Sequence, residues 1–298
     1  MRRGVSCLGL ALLLLLAPPA PAAWSGARLE HDATLVWRDP DARFGGLSGL
    51  AVSSDGGSLL AISDRAAWAR AELERAPDGR LTGIRTTGIG PLLAISGAGL
   101  TDDEVDAEGL AVDADGRAFV SFEGFDRIRR YDDIAGPASS VPGHPAFDRL
   151  QRNSALEALA IDAAGRLYAI PERSGRVDRP FPVWRFDNGS WERWSDLRRD
   201  GPYLVVGADI GPDGRLYLVE RDFRWIAFAS RVRRFDIGPD GLVNEETLLE
   251  TALGDFQNME GISVWRDPAG ALRVTLIADD NFHPLQRTEI AEFRLVED

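Results

Sequence analysis

The sequence predicts an all-β chain folded as a β-propeller, and three observations carry that prediction. The stretch ALEALAIDAAGRLYAIPER, residues 155–173, recurs in close form as AEGLAVDADGRAFVSFEG from Ala107 and VGADIGPDGRLYLVERD from Val206, with looser copies from Leu47 and Met259. Gly116, Gly165 and Gly214 keep a step of 49 residues through the three close copies. Each copy reads as a hairpin followed by a further strand, and helical periodicity is almost absent, which is the signature of short strands at regular spacing. A period near 50 built on such a unit points to propeller blades. A two-sheet sandwich of turn-rich hairpins is the competing architecture.

The elements follow in chain order. Residues 1–23 read as a secretory leader: Arg2 and Arg3, an apolar run from Leu8 to Ala17, then small residues at Ala20, Ala22 and Ala23. The run is shorter than the ~20 residues that span a bilayer. Residues 24–298 then form one propeller domain, because no linker or change of composition divides them. ARLEHDATLVWRD, 27–39, stands alone as a strand. In each copy an apolar first strand, such as Leu110–Val112 or Leu159–Ile161, runs into DADG, DAAG or GPDG, where glycine supplies the positive φ of a tight turn. A second strand follows (RAFVSFE, RLYAIPE, RLYLVE), then a third rich in aromatic and basic residues: RIRRYD (127–132), VWRFD (183–187) and RVRRFD (231–236). Five hairpin starts give five blades, with six as the alternative count. The last copy is short of a strand, so the N-terminal strand is expected to join the last blade and close the ring without an open edge.

Composition narrows the partners. The net charge is −13, and loss of Arg2 and Arg3 with the leader takes it to −15. That argues against nucleic acid and anionic membrane surfaces, which call for basic patches. Nothing in the mature chain inserts into a membrane, and a monomer is expected. The single cysteine, Cys7, lies in the leader, so the mature protein has neither disulfide nor thiol chemistry.

In a propeller the first strands line the axis, so equivalent repeat positions form rings. Ahead of the first strand stand Ser48, Glu108, Glu157 and Glu260; at the end of the second stand Asp64, Glu123, Glu172 and Glu220, with Asp279 and Asp280 in the last copy. So many carboxylates near an axis repel one another unless cations neutralise them, and hard oxygen donors suit Ca2+ or Mg2+. The competing reading pairs the acids with turns and arginines. Arg65, Arg173 and Arg221 each follow an acid directly and Arg287 lies just beyond the last pair, which would suit a small anionic ester or phosphate ligand, or local salt bridges. Of the three histidines only His283, in DDNFHPLQRT, falls in a repeat-end loop, where it is a candidate general acid. The aromatic residues Trp184, Trp191, Trp194, Phe223 and Trp225 are expected to pack within blades.

The ordered series EGLAVDADGRAFVSFE, ALEALAIDAAGRLYAIPER, VGADIGPDGRLYLVERDF and NMEGISVW…LIADDNF resembles the exported phytase-like family, whose domain is described as esterase-like activity of phytase. The resemblance covers Gly45 to Leu295 and implies a β-propeller exported to the bacterial periplasm or the cell exterior, acting on an ester or phosphate ester. The Glu-Gly and Glu-Arg positions carry over as motif residues. Propeller phytases use several calcium ions in a carboxylate-lined cleft, and Ser48 departs from that pattern by replacing an acid. Three functions stay open on sequence: a metal-assisted ester hydrolase, a ligand- or partner-binding propeller holding a divalent cation, and a structural propeller.

Overall fold

A computed structural model describes residues 26–101, 104–124, 127–150 and 156–297; the leader-like segment lies outside them. Five four-stranded antiparallel sheets make up the fold. Blade 1 is β2 (Leu47–Val52), β3 (Ser58–Ser63), β4 (Ala67–Arg75) and β5 (Leu81–Pro91). Blade 2 is β6 (Ala107–Val112), β7 (Ala118–Phe122), β8 (Arg127–Tyr131) and β9 (Ser139–Ser140). Blade 3 is β10 (Ala158–Ile161), β11 (Leu167–Ile170), β12 (Phe181–Asp187) and β13 (Ser190–Leu197). Blade 4 is β14 (Leu204–Ile210), β15 (Arg215–Arg224), β16 (Ala227–Ile237) and β17 (Leu242–Glu250).

Blade 5 combines β18 (Asn258–Arg266), β19 (Leu272–Asp279) and β20 (Glu289–Val296) with β1 (Arg28–Val36) as its outermost strand. Arg28 pairs with Val296 and Val36 with Glu289, so the first strand completes the last sheet as the sequence implies. The count is five blades, not six. The aromatic-basic segments are the third strands β8, β12 and β16.

The turns are built as their residues dictate. In blade 2 the Asp113 carboxylate accepts from the backbone N–H groups of Asp115 and Arg117, at 3.0 and 2.9 Å, and Gly116 takes φ +82°. Asp162 repeats this in blade 3 with Ala164 and Arg166.

Apolar residues pack between blades, not in one central mass. One cluster joins Val206, Tyr217 and Val232 of blade 4 to Met259, Val274 and Phe293 of blade 5; four more fill the other gaps round the ring. Blades 1 and 5 are also joined by a bidentate ion pair, Arg75 to the fully buried Glu292, at 2.7 Å on both arms.

At the axis the first strands approach backbone to backbone. A Cβ added at Gly207 would lie 2.2 Å from the carbonyl oxygen of Glu260, and one at Gly109 would lie 2.8 Å from that of Glu157. In four of the five blades the residue after the ring position is a glycine (Gly49, Gly109, Gly207, Gly261), and its missing side chain is what lets the neighbouring blade close; blade 3 has the small Ala158 there. The axis is consequently plugged: the space among Gly49, Gly109, Gly207 and Gly261 is about 10 Å³.

Alanine at Gly207 is therefore expected to lower stability by about 1–3 kcal/mol, the cost of overpacking. Alanine at Gly99, which has nothing within 4 Å, is expected to be near neutral. Urea unfolding of both variants against the parent checks the contrast.

Candidate functional site

The plug gives one end of the axis a floor, leaving an open mouth of about 250 Å³. Its walls carry Ser48, Asp64, Asp106, Glu108, Glu123, Glu157, Glu172, Arg173, Arg221, Glu260, Asp279 and Asn281. The opposite end is a larger recess of about 730 Å³ whose walls are more apolar, around Leu50, Leu110, Ile210 and Val264.

Local strand geometry aims the acids into the mouth. The pairing of first to second strand slips by a residue at Ser48, at Glu108, at Val206 and at Glu260, between Leu47 and Gly49, Ala107 and Leu110, Val205 and Gly207, and Met259 and Gly261. A bulge leaves its residue out of the ladder and re-aims the side chain.

The second ring comes from residues just past the second strands. Val205 pairs with Glu220 as Met259 pairs with Ala278 and Leu47 with Ser63, so the ring members are Asp64, Glu123, Glu172, Arg221 and Asp279. Blade 4 thus contributes Arg221 where Glu220 was expected. Glu220 points away from the mouth and is fully buried between Arg233, at 2.5 Å, and Arg231, at 2.8 Å. Asp280 also lies outside, where its carboxylate accepts from the N–H of Gly46 at 2.9 Å and of Phe282 at 3.1 Å, and from the Thr288 hydroxyl at 3.2 Å. It fixes the loop, and its neighbour Asp279 lines the cavity.

The four arginines separate. Arg221 bonds Asn258 Oδ1 at 3.0 Å, pairs with Glu172 at 3.2 Å and pairs closely with Glu260. Arg173 pairs with Glu172 at 2.9 Å while 46% of its side chain stays exposed on the rim. Arg65 stacks on the Phe282 ring at 3.3 Å, and Arg287 pairs with Glu289 at 3.0 Å; neither lines the mouth. His283 is exposed in the loop beyond Asp279, with its Nδ1 accepting from the Leu285 N–H at 3.3 Å.

Two residues were missed by the sequence reading. Asp106 stands two before Glu108, and Asn258 stands two before Glu260; aligning DAEG with NMEG exposes both. Asn258 donates to Glu260 at 2.8 Å. Asp106, Glu108 and Glu123 each present a carboxylate oxygen within 4.8 Å of the others, a group that can hold one metal ion.

A family model for phytase-like proteins, described as esterase-like activity of phytase, matches residues 42–282. The chain belongs to the phytase-like family. No curated protein matches it. Among solved structures, the PQQ-bound aldose sugar dehydrogenase from Streptomyces coelicolor superposes with a TM-score of 0.50 at 15% identity, over 94% of this chain and 100% of that one. A protein of unknown function from Dyadobacter fermentans gives 0.48 at 11%, over 92% and 100%, and a luciferin-regenerating enzyme gives 0.49 at 10%, over 88% and 94%. At such identities the likeness is one of fold.

The mouth of this phytase-like propeller gathers eight carboxylates around two guanidinium groups. Burial, reinforced by Glu157, Glu260, Asp106 and Glu123, pushes Glu108 well above the usual carboxylate range. Burial and Glu172 do the same to Glu157, against the pull of Arg221. Asp64 is pushed up to about 6 and Asp279 to about 8, burial being the first cause in each. Arg221 runs the other way: burial opposes its charge, but Glu260, Glu157 and Glu172 more than offset that and raise its pKa. Like charges held this close bind protons or cations, and the all-oxygen donor set fits Ca2+ or Mg2+.

Among the described residues no helix is long and apolar enough to cross a membrane.

These carboxyls hold protons more tightly folded than unfolded. Their contribution to stability is full below the unfolded pKa of roughly 4 and is lost as pH rises through about 6 for Asp64 and about 8 for Asp279. In EDTA the melting temperature is therefore expected to fall between about pH 5 and pH 8.5 through these groups. Added calcium is expected to restore it most at the alkaline end, where the carboxylates are ionised; differential scanning calorimetry checks both.

Proposed function

We propose that this phytase-like propeller is a metal-assisted hydrolase of a phosphate ester or another small ester, with the axial mouth as its active site. The carboxylate trio Asp106, Glu108 and Glu123 carries this reading, because it faces a solvent-open mouth, floored by the axial plug, whose rim also bears an exposed arginine. A divalent cation held there would supply Lewis-acid polarisation of an ester oxygen and activation of the attacking water.

The chain's own groups do the positioning. Arg173 keeps its outer N–H groups available on the rim for an anionic substrate oxygen. Arg221, engaged by Glu172, Glu260 and Asn258, holds those side chains in place and offsets part of their charge. Asp279, whose carboxyl is pushed up to about 8 by burial and by Glu260, would serve as the proton donor to a leaving oxygen. His283, exposed outside the mouth, is not needed for that role. Export to the periplasm or exterior, through the leader-like segment 1–23, belongs to the same proposal.

A second reading, a cation-holding propeller that binds without turnover, is favoured by one observation. Among the described residues the only hydroxyl lining the mouth is Ser48, which is 4% exposed and faces the Gly46 carbonyl at 3.5 Å.

The mature chain is expected to hydrolyse p-nitrophenyl phosphate or a short p-nitrophenyl ester only with calcium or magnesium present. Glu108→Gln and Glu123→Gln are each expected to lower kcat/KM on the order of 10²-fold, the scale on which a lost electrostatic group acts in a transition state. Their melting temperatures in EDTA should hold or rise, since each removes a repelling charge. A cation-raised melting temperature without turnover of any ester would replace the hydrolase by the binding propeller.

A further inference from the structure

Phe223 and Trp225 do not pack within a blade as the sequence reading expects. They belong to the tip of the β15–β16 hairpin, where Trp225 is 94% exposed, Ile226 93% and Phe223 58%. The hairpin starts in the mouth at Arg221, and its ladder continues outward through Phe223–Phe228 to Arg224–Ala227. The tip is therefore a two-residue turn, with the Phe223 and Phe228 rings 4.8 Å apart behind it.

Local turn chemistry does not ask for these residues. Two-residue hairpin turns favour Asn-Gly or a similar pair, because the backbone enters the left-handed region. Here Trp225 itself is held at φ +62°, a conformation that a bulky side chain seldom adopts without an external reason.

The surroundings repeat the same chemistry. The loop 173–180 leaves the mouth beside this hairpin, the two joined at their bases by the Glu172–Arg221 pair, and carries Arg173, Arg176 and Arg179 around Val177, which is 71% exposed. On the other flank the N–H of Gly254 bonds the Phe228 carbonyl at 2.8 Å, bringing the exposed Leu253 alongside. Arg224 stands exposed next to Trp225 and pairs with Asp222 at 2.5 Å, and Arg176 pairs with the exposed Asp178 at 3.0 Å. Residues 173–180 and 222–226 carry four arginines against those two aspartates, a local excess of positive charge around Trp225 and Ile226 in a chain of net charge −13.

We propose that this rim, Phe223, Trp225, Ile226 and Val177 with Arg176, Arg179 and Arg224, docks the propeller peripherally onto an anionic lipid surface, so that the mouth beside it faces the bilayer. An aromatic and aliphatic point set among arginines matches the interface of a bilayer, where indole rings settle at headgroup level and guanidinium groups meet phosphates. A protein partner would be better met by a flat or concave apolar area than by a convex two-residue tip. The overall acidity that argues against anionic membranes applies to the whole chain, and this rim is its local exception. The proposal does not depend on ester hydrolysis.

The test is sedimentation of the mature chain with vesicles of phosphatidylcholine alone and of phosphatidylcholine with phosphatidylglycerol, each with and without calcium. Binding to the anionic vesicles in either condition is expected, with a blue shift of tryptophan fluorescence that Trp225→Phe removes. The double variant Trp225→Ser/Ile226→Ser, whose changes lie on the surface and should leave the melting temperature unchanged, is expected to bind about tenfold more weakly or worse. Arg176→Glu/Arg179→Glu is expected to lose the preference for phosphatidylglycerol. No binding of the parent to either composition, or equal binding by the serine variant, overturns the proposal. So does self-association of the parent in analytical ultracentrifugation that the serine variant abolishes, since a second copy would then be the occupant.

Discussion

Five innermost strands meet so closely around the axis that a methyl group at Gly207 would collide with the carbonyl of Glu260. That closeness plugs the channel, and the plug gives the mouth a floor. It also brings the bulged residues of neighbouring blades together. A carboxylate that would be unremarkable on one open hairpin becomes, at the axis, one of a set that shares protons or a cation. In blades 2 and 5 the Glu-Gly pairs Glu108-Gly109 and Glu260-Gly261 join both effects in two residues: the acid turns toward the mouth and the glycine lets the next blade close behind it.

Blade 4 breaks the symmetry, and the break organises the site. Val206 replaces an acid in the inner ring and Arg221 replaces one in the outer ring. The guanidinium lies among Glu172, Glu260 and Asn258, so the negative charge on that side is partly met from within the protein. On the blade 2 side Asp106, Glu108 and Glu123 bring carboxylate oxygens within 4.8 Å of one another. The two guanidinium groups of the mouth, Arg173 and Arg221, come from blades 3 and 4.

Much of this was legible in the repeat. Blade number, hairpin turns, third strands and the closing strand all follow from spacing and turn chemistry, which are local properties. The outer-ring position was legible too, because a step of 49 residues from Glu123 reaches Glu172 and then Arg221. Matching residue type in place of spacing selects Glu220, which a one-residue offset turns to the other face of its strand. Asp280 and Asp279 are adjacent in the chain, and only the fold of their loop decides which of them meets the cavity. Trp225 was illegible for another reason: with Phe223, Ile226 and Phe228 close by in the chain it reads as core until the hairpin is seen to extend past the sheet.

The pairing of Arg28 with Val296 joins the two ends of the described chain in one sheet. While the chain is being made, the partner of β1 is the last strand to emerge. Until then blade 5 lacks the strand that β1 pairs with, and β1 waits as an unpaired edge. Four blades can form in sequence from local hairpins, but the ring shuts through a contact of nearly maximal sequence separation, the kind that folds slowly. A chain that ends early leaves not a smaller propeller but an open arc with two adhesive borders.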